Sequence, residues 1–208
     1  MGVNIRELRG IRNLVIAPLT TDTAETIEYG AVVPFAGARE IGNEVEESSA
    51  TSFYDNKASI VISAEGSDTY SIVCSVLSDE VRATIEGRKY DEATGGYMGT
   101  PLSRPYVAIG FIGKDTDGKE YGYWIYKCKL TGGAEKYITE DDGTETVNLE
   151  YEATSIYTEH TFTKADKKPM KYYKADLEKV GGEAKFFAKV ENPDTISQAM
   201  AMMTAKTR

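Results

Sequence analysis

His160 is the one histidine of the chain, and it follows a stretch of alternating apolar and polar residues without a second histidine or a cysteine at metal-ligand spacing. No serine sits in a nucleophile-elbow pattern that it could serve. His160 therefore reads as a surface or half-buried polar group at a strand end. Cys74 and Cys128 lie far apart, each inside a strand-like pattern. They read as small buried side chains, neither a disulfide framework nor a metal clip. Glu140, Asp141, Asp142 and Gly143 are acidic like a calcium loop, but the ligand spacing and the terminal glutamate are missing. A solvated turn is the expectation there. Among 19 glycines none falls in a dinucleotide fingerprint or a phosphate loop, and Gly95-Gly96 opens no strand-to-helix turn. With 33 acidic residues a carboxylate pair can be drawn anywhere, so that signal has no specificity. The reading assigns no catalytic residue, no cofactor and no metal, and expects a binding or structural protein, not an enzyme.

Charge narrows the class further. The chain has 208 residues, a formal charge of −9 and a pI near 4.8. Tight binding to nucleic acid needs Lys and Arg concentrated on one face to displace counterions. This balance repels DNA instead. An apolar fraction of 41% beside a charged fraction of 27% is ordinary for a folded globular chain. No run approaches the roughly 18 consecutive apolar residues of a membrane span. Residues 1–12 are charged with no apolar core behind them. The expectation is a protein made and kept in a cytoplasm, or released by lysis.

The elements that would position these residues are mostly strands. Between residues 26 and 162 tyrosines and β-branched residues abound and polarity alternates. In residues 144–156, Val147, Leu149, Tyr151 and Ala153 share one face, while Thr146, Asn148, Glu150 and Glu152 share the other. Residues 106–112 and 121–130 form a predicted antiparallel hairpin, with Asp117-Gly118 supplying the turn. Tyr121, Tyr123 and Ile125 alternate with Gly122, Trp124 and Tyr126, as in a strand buried on both sides. In residues 38–46, Ile41, Asn43 and Val45 alternate with Glu40, Gly42, Glu44 and Glu46. Glu47, Ser48, Ser49 and the small residues through Ser52 read as a flexible loop. Residues 58–65 and 69–77 read as two more short strands.

One helix is predicted. Ser78 supplies an N-cap hydroxyl, Asp79 and Glu80 suit the helix dipole, and Gly87 stops the helix after Glu86. Residues 88–104, with Gly95, Gly96, Tyr97, Met98 and Pro101, carry no periodicity and read as a long surface loop with a role. The last third differs in composition. Residues 164–169 are charged and turn-rich, and residues 195–204 place Ile196, Ala199, Met200 and Met203 on one helical face, a candidate docking arm.

Several segments, in order and at similar spacing, resemble the major tail proteins of long-tailed, noncontractile bacteriophages and related prophages. They are Gly10-Ile11-Arg12-Asn13-Leu14-Val15-Ile16-Ala17-Pro18-Leu19-Thr20, then Tyr29-Gly30, then Phe35-Ala36-Gly37-Ala38-Arg39-Glu40-Ile41. The middle adds Arg104-Pro105-Tyr106-Val107-Ala108-Ile109-Gly110-Phe111 and Tyr123-Trp124-Ile125-Tyr126-Lys127-Cys128-Lys129-Leu130, with that family's proline, valine-alanine and aromatic-lysine pattern. The likeness covers residues 10–162.

The resemblance implies a mainly β subunit, an antiparallel β-sandwich with one flanking α-helix and a C-terminal extension. Its division would be 1–163 for the β-sandwich domain with an N-terminal arm and 164–208 for the extension, packed on the same domain or on a neighbour. It also implies hexameric rings of this chain stacked into a hollow tail tube in the virion, assembled in the host cytoplasm. Its partners would be further copies of itself and the tail-tip initiator, tape-measure and tail-terminator proteins, with DNA only in transit and no membrane. Within that frame the carboxylates of Glu40, Glu44 and Glu46, or of Glu150 and Glu152, are candidates to line the lumen and repel DNA. Candidates for ring-to-ring contact are Glu47, Ser48 and Ser49, the loop residues Gly95, Gly96, Tyr97 and Met98, and the terminal Ile196, Met200 and Met203. The rival reading is a carbohydrate-binding or adhesive β-sandwich module in which tyrosines and Trp124 form a stacking platform.

Overall fold

Strand alternation fixes which side chains face inward, and the computed structural model places a strand at each alternating stretch of the sequence; it describes residues 6–55, 57–139 and 147–196. Strands β1 (Leu8–Asp22), β2 (Ile27–Tyr29) and β3 (Val33–Ala36) precede the long pair β4 (Ala38–Tyr54) and β5 (Lys57–Cys74). Helix α1 (Asp79–Glu86) follows, then the short strands β6 (Tyr90–Asp91) and β7 (Gly96–Tyr97). The hairpin β8 (Val107–Asp115) and β9 (Glu120–Gly132) leads to β10 (Leu149–Ser155), β11 (Tyr172–Asp176) and the one-turn helix α2 (Glu183–Phe186). The protein is mainly β.

Hydrogen bonds join the strands in the order β2-β1-β8-β9-β10-β5-β4, with β3 also on β1 and β11 also on β9. Every pairing is antiparallel. A sandwich of two sheets was the expectation; apart from the β6–β7 pair, the described strands form one sheet that curls over its own face. The curl brings Phe35 of β3 edge-on to Tyr151 of β10, ring centres 5.6 Å apart, although three strands separate them in the sheet.

The inner face of the curl carries the first core, built from Ile16, Ile72, Cys74, Ile109, Ile125, Leu130 and Tyr151, with Leu77 and Ile85 closing it from α1 and its lead. That helix starts and stops as its sequence dictates. Ser78 Oγ accepts the Val81 N–H at 3.4 Å, and Gly87 takes φ 66° where a Cβ would collide with the Ser103 carbonyl.

The outer face divides in two. Over β1, β8 and β9 it carries a second core in which Trp124 and Tyr126 lie under Phe162, Leu177, Phe186, Phe187 and Ile196. Trp124 Nε1 donates to the Phe186 carbonyl at 3.2 Å, and Tyr126 Oη donates to the Glu191 carbonyl at 3.1 Å. Gly122 makes room for this layer, since a Cβ there would meet Phe186 at 2.5 Å. Residues of the last third thus pair with β9 through β11 and cover it. Over β10, β5 and β4 no described residue covers the outer face, and Glu40, Glu44, Glu150 and Glu152 on it are exposed.

Three local expectations are corrected. Residues 47–52 are strand, not loop, because Glu47 to Ser52 pair across to Glu65 through Ile60, and the β-branched partners carry small residues of weak strand preference into the ladder. The two short strands expected in 58–77 are the single strand β5, bulged near Gly66. The stretch 88–104 holds the β6–β7 hairpin, turned through Gly95 at φ 68°.

Candidate interaction surface

Register decides which side chains share a face, because directly opposed residues in an antiparallel ladder point the same way. Glu40 and Glu150 both oppose Val73, from opposite sides of β5. Gly42 and Glu152 both oppose Ser71, and Glu44 and Thr154 both oppose Thr69. The sequence offered Glu40, Glu44 and Glu46, or Glu150 and Glu152, as alternative linings. The fold places Glu40, Glu44, Glu150 and Glu152 on the same outer face, and these four are exposed. Glu46 stands at the bulge, where its carboxylate accepts the Ser67 hydroxyl at 3.2 Å.

Beyond that bulge β4 and β5 leave the sheet together. From Glu47 and Glu65 to the turn at Asp55 they pair with each other and with no other described strand. The eight residues of β4 from Glu47 to Tyr54, paired with nine of β5, make at the usual rise an arm of roughly 26 Å. Glu47, Ser48 and Ser49 lie on it, exposed. So do Ile60, Val61 and Ile62, at 48%, 68% and 61% exposure, a run of β-branched side chains covering both faces of the arm. The outer edge of β4 pairs with no described strand. An edge of this length with apolar residues beside it is a template for another chain. Sequence reasoning found the 58–65 limb of this arm as a strand but missed residues 47–52 and the pairing between the two. The visible signal of an arm was Ile60-Val61-Ile62 itself, since three consecutive apolar residues in a strand cannot all face one core.

The other candidates scatter. Gly95, Gly96, Tyr97 and Met98 lie on the β6–β7 hairpin, which docks on α1: the Tyr97 ring lies 5.6 Å from the Arg82 guanidinium and 5.7 Å from that of Arg88. Arg82 also bonds the Gly133 carbonyl at 2.9 Å and pairs with Glu86 and Glu135. Met98 is exposed. Ile196, offered as a docking residue, is buried in the second core, so its side chain packs on its own chain. Met200, Met203 and the acidic turn Glu140, Asp141 and Asp142 lie outside the described residues.

His160 is half-buried, its ring edge-on to Phe162 at 4.8 Å, and its backbone N–H donates to Asp22 Oδ1 at 3.0 Å. Asp22 also accepts the Glu159 N–H and pairs with Lys127 Nζ at 2.7 Å. Burial opposes the Asp22 charge, but Lys127 and the two N–H donors outweigh it and hold its carboxyl below the usual range. Burial pushes the Cys74 thiol up to about 11 and the Cys128 thiol up to about 12, which leaves both as unreactive thiols at neutral pH. Among the described residues no group of three His, Cys, Asp or Glu side chains converges as a metal site. No described helix is long and apolar enough to cross a membrane.

An open groove of about 420 Å³ runs along the other side of β4, lined by Leu8, Ile41, Tyr70, Phe111, Tyr123, Tyr172 and Lys174. Phe111 and Tyr123 stack there at 4.7 Å.

No protein-family model matches the chain, and a search of curated proteins finds no significant match.

Proposed function

We propose that this chain is the structural subunit of a bacteriophage tail tube, a non-enzymatic protein whose hexameric rings stack into the hollow conduit that DNA traverses. The observation that carries this reading is the β4–β5 arm: a long paired extension with an exposed apolar run and a free strand edge, rooted beside an acidic sheet face. An arm on one side of a subunit and its receiving surface elsewhere make a heterologous contact, and such contacts generate rings and stacks. In this reading the arm, with Glu47, Ser48 and Ser49 on it, reaches the neighbouring subunit or ring. Met98 and the β6–β7 hairpin are the second contact. The face of Glu40, Glu44, Glu150 and Glu152 borders the lumen, where like charge keeps DNA from adhering. The tail-like arrangement of the sheet, the tape-measure, tip and terminator partners and residence in the virion belong to the same proposal.

The aromatic groove with Tyr70, Phe111, Tyr123 and Tyr172 favours a second reading, a carbohydrate-binding module. Trp124 contributes nothing to such a platform, because it is fully buried under Phe186 and Phe187.

Sedimentation velocity over a concentration series separates the two. The tube reading expects species heavier than the monomer that grow with concentration and vanish in Ile62→Asp. A monomer at every concentration whose tryptophan or tyrosine fluorescence responds to glycans would move the assignment to the sugar-binding module.

A further inference from the structure

The arm leaves the sheet at a bulge, and a bulge bends the strand that carries it. Val45 opposes Asp68 and Glu47 opposes Glu65, so β5 spends one more residue than β4 across this step. Gly66 lies in this step, where a Cβ would crowd the Glu46 side chain, its carboxylate at 2.8 Å. A two-strand ribbon joined to its body through one bulge has a soft bend, unless something ties the two sides of the bulge together.

A third element does so. Lys171 lies just before β11, its backbone carbonyl accepting the Tyr126 N–H of β9 at 2.9 Å, so its base is fixed to the body. Its ammonium group is buried and bonds Asp68 Oδ1 at 2.7 Å and Glu65 Oε1 at 2.6 Å. Asp68 is the last residue on the body side of the bulge and is itself buried; Glu65 is the first on the arm side and is half-exposed. Tyr157, in the loop after β10, completes the clamp. Its ring covers the ammonium at 4.7 Å. Two carboxylates from the two sides of one bulge thus converge on one cation with low solvent access, where charge-assisted hydrogen bonds hold their geometry.

We infer that Lys171 is a positioning residue that sets the direction of the β4–β5 arm by bridging Asp68 and Glu65 across the bulge. The inference gives the arm a reason to be aimed, and that reason rests on the arm being the assembly contact. The bond to Glu65 aims the arm, and the bond to Asp68 neutralises the buried lysine. The two roles are separable by mutation. Glu65→Gln loosens the arm while the buried pair stays intact. The double variant Lys171→Met with Asp68→Asn removes both buried charges together, so neither is stranded.

The test is a pulsed electron-spin distance measurement on the soluble chain, with labels at Ala50→Cys on the arm and Lys129→Cys on β9, the native cysteines being buried. In the unmodified background the distance distribution is narrow. With Glu65→Gln, and again with the double variant, it broadens about twofold or shifts, as expected of an arm released to local motion, while the thermal midpoint of Glu65→Gln stays unchanged. A distribution of unaltered width and mean in both variants overturns the proposal. Sedimentation of the same samples keeps the two claims apart. A loosened arm with reduced assembly supports both, and a loosened arm with undiminished assembly leaves the clamp standing and removes the arm from the assembly contact.

Discussion

Lys127 and Lys171 are lysines held inside a sheet protein, each against a buried aspartate from a distant part of the chain. Neither pair was legible in the sequence, because Asp22 and Lys127, or Asp68 and Lys171, are brought together only by the order in which strands pair. The Asp68–Lys171 pair ties the last third of the chain to the sheet, and the Asp22–Lys127 pair ties the end of β1 to β9. Removing one member strands the other charge, which typically costs about 3–5 kcal/mol. Asp22→Asn should sit near the lower end, about 3 kcal/mol, because Glu159 remains 3.5 Å from the ammonium; urea denaturation at neutral pH measures it. The pH dependence has a definite sign. The Asp22 carboxyl is depressed in the fold, so its contribution is present above the ordinary carboxylate range and disappears as pH falls through the folded value. Urea midpoints followed from pH 7 to pH 3 should therefore fall more steeply for the native chain than for Asp22→Asn. Parallel curves would contradict this account of Asp22. The aromatic core makes a separate prediction. Phe186→Ala opens a cavity beside Trp124 and should cost about 3–5 kcal/mol, read as a lowered thermal midpoint.

Among the elements, those with one wet face and one dry face were legible. Ser78 and Gly87 marked both ends of α1, Asp117-Gly118 marked the β8–β9 turn, and the alternation of Leu149, Tyr151 and Ala153 marked β10. Of the β4–β5 arm, residues 58–65 were legible as a strand but residues 47–52 and their pairing were not. The arm has no dry face, so residues 47–52 lack the alternation by which a strand declares itself, and the pairing with residues 60–65 is a long-range fact. The acidic candidates were found strand by strand, but their union on one face depends on β5 lying between β4 and β10. That union makes a test at this scale. Reversing Glu40, Glu44, Glu150 and Glu152 to lysine should leave assembly intact and slow DNA ejection; ejection at the native rate would exclude the lumen assignment. On the arm, Val61→Asp is exposed enough to change monomer stability by no more than about 0.5 kcal/mol, yet it should abolish assembly.

In the whole molecule the parts point outward. Among the described residues the inner core is closed by α1 and the outer core by residues 162–196, while the outer edge of β4, the apolar arm and the acidic face are left exposed. Those are the surfaces a subunit of a hollow polymer needs, and a self-sufficient monomer gains nothing from exposing them. Negative-stain electron microscopy of the purified chain across a concentration series tests the central claim most directly. The account predicts hollow tubes or six-fold rings whose abundance rises with concentration. Dispersed single particles at every concentration, with the Ile62→Asp variant indistinguishable from the native chain, would contradict it.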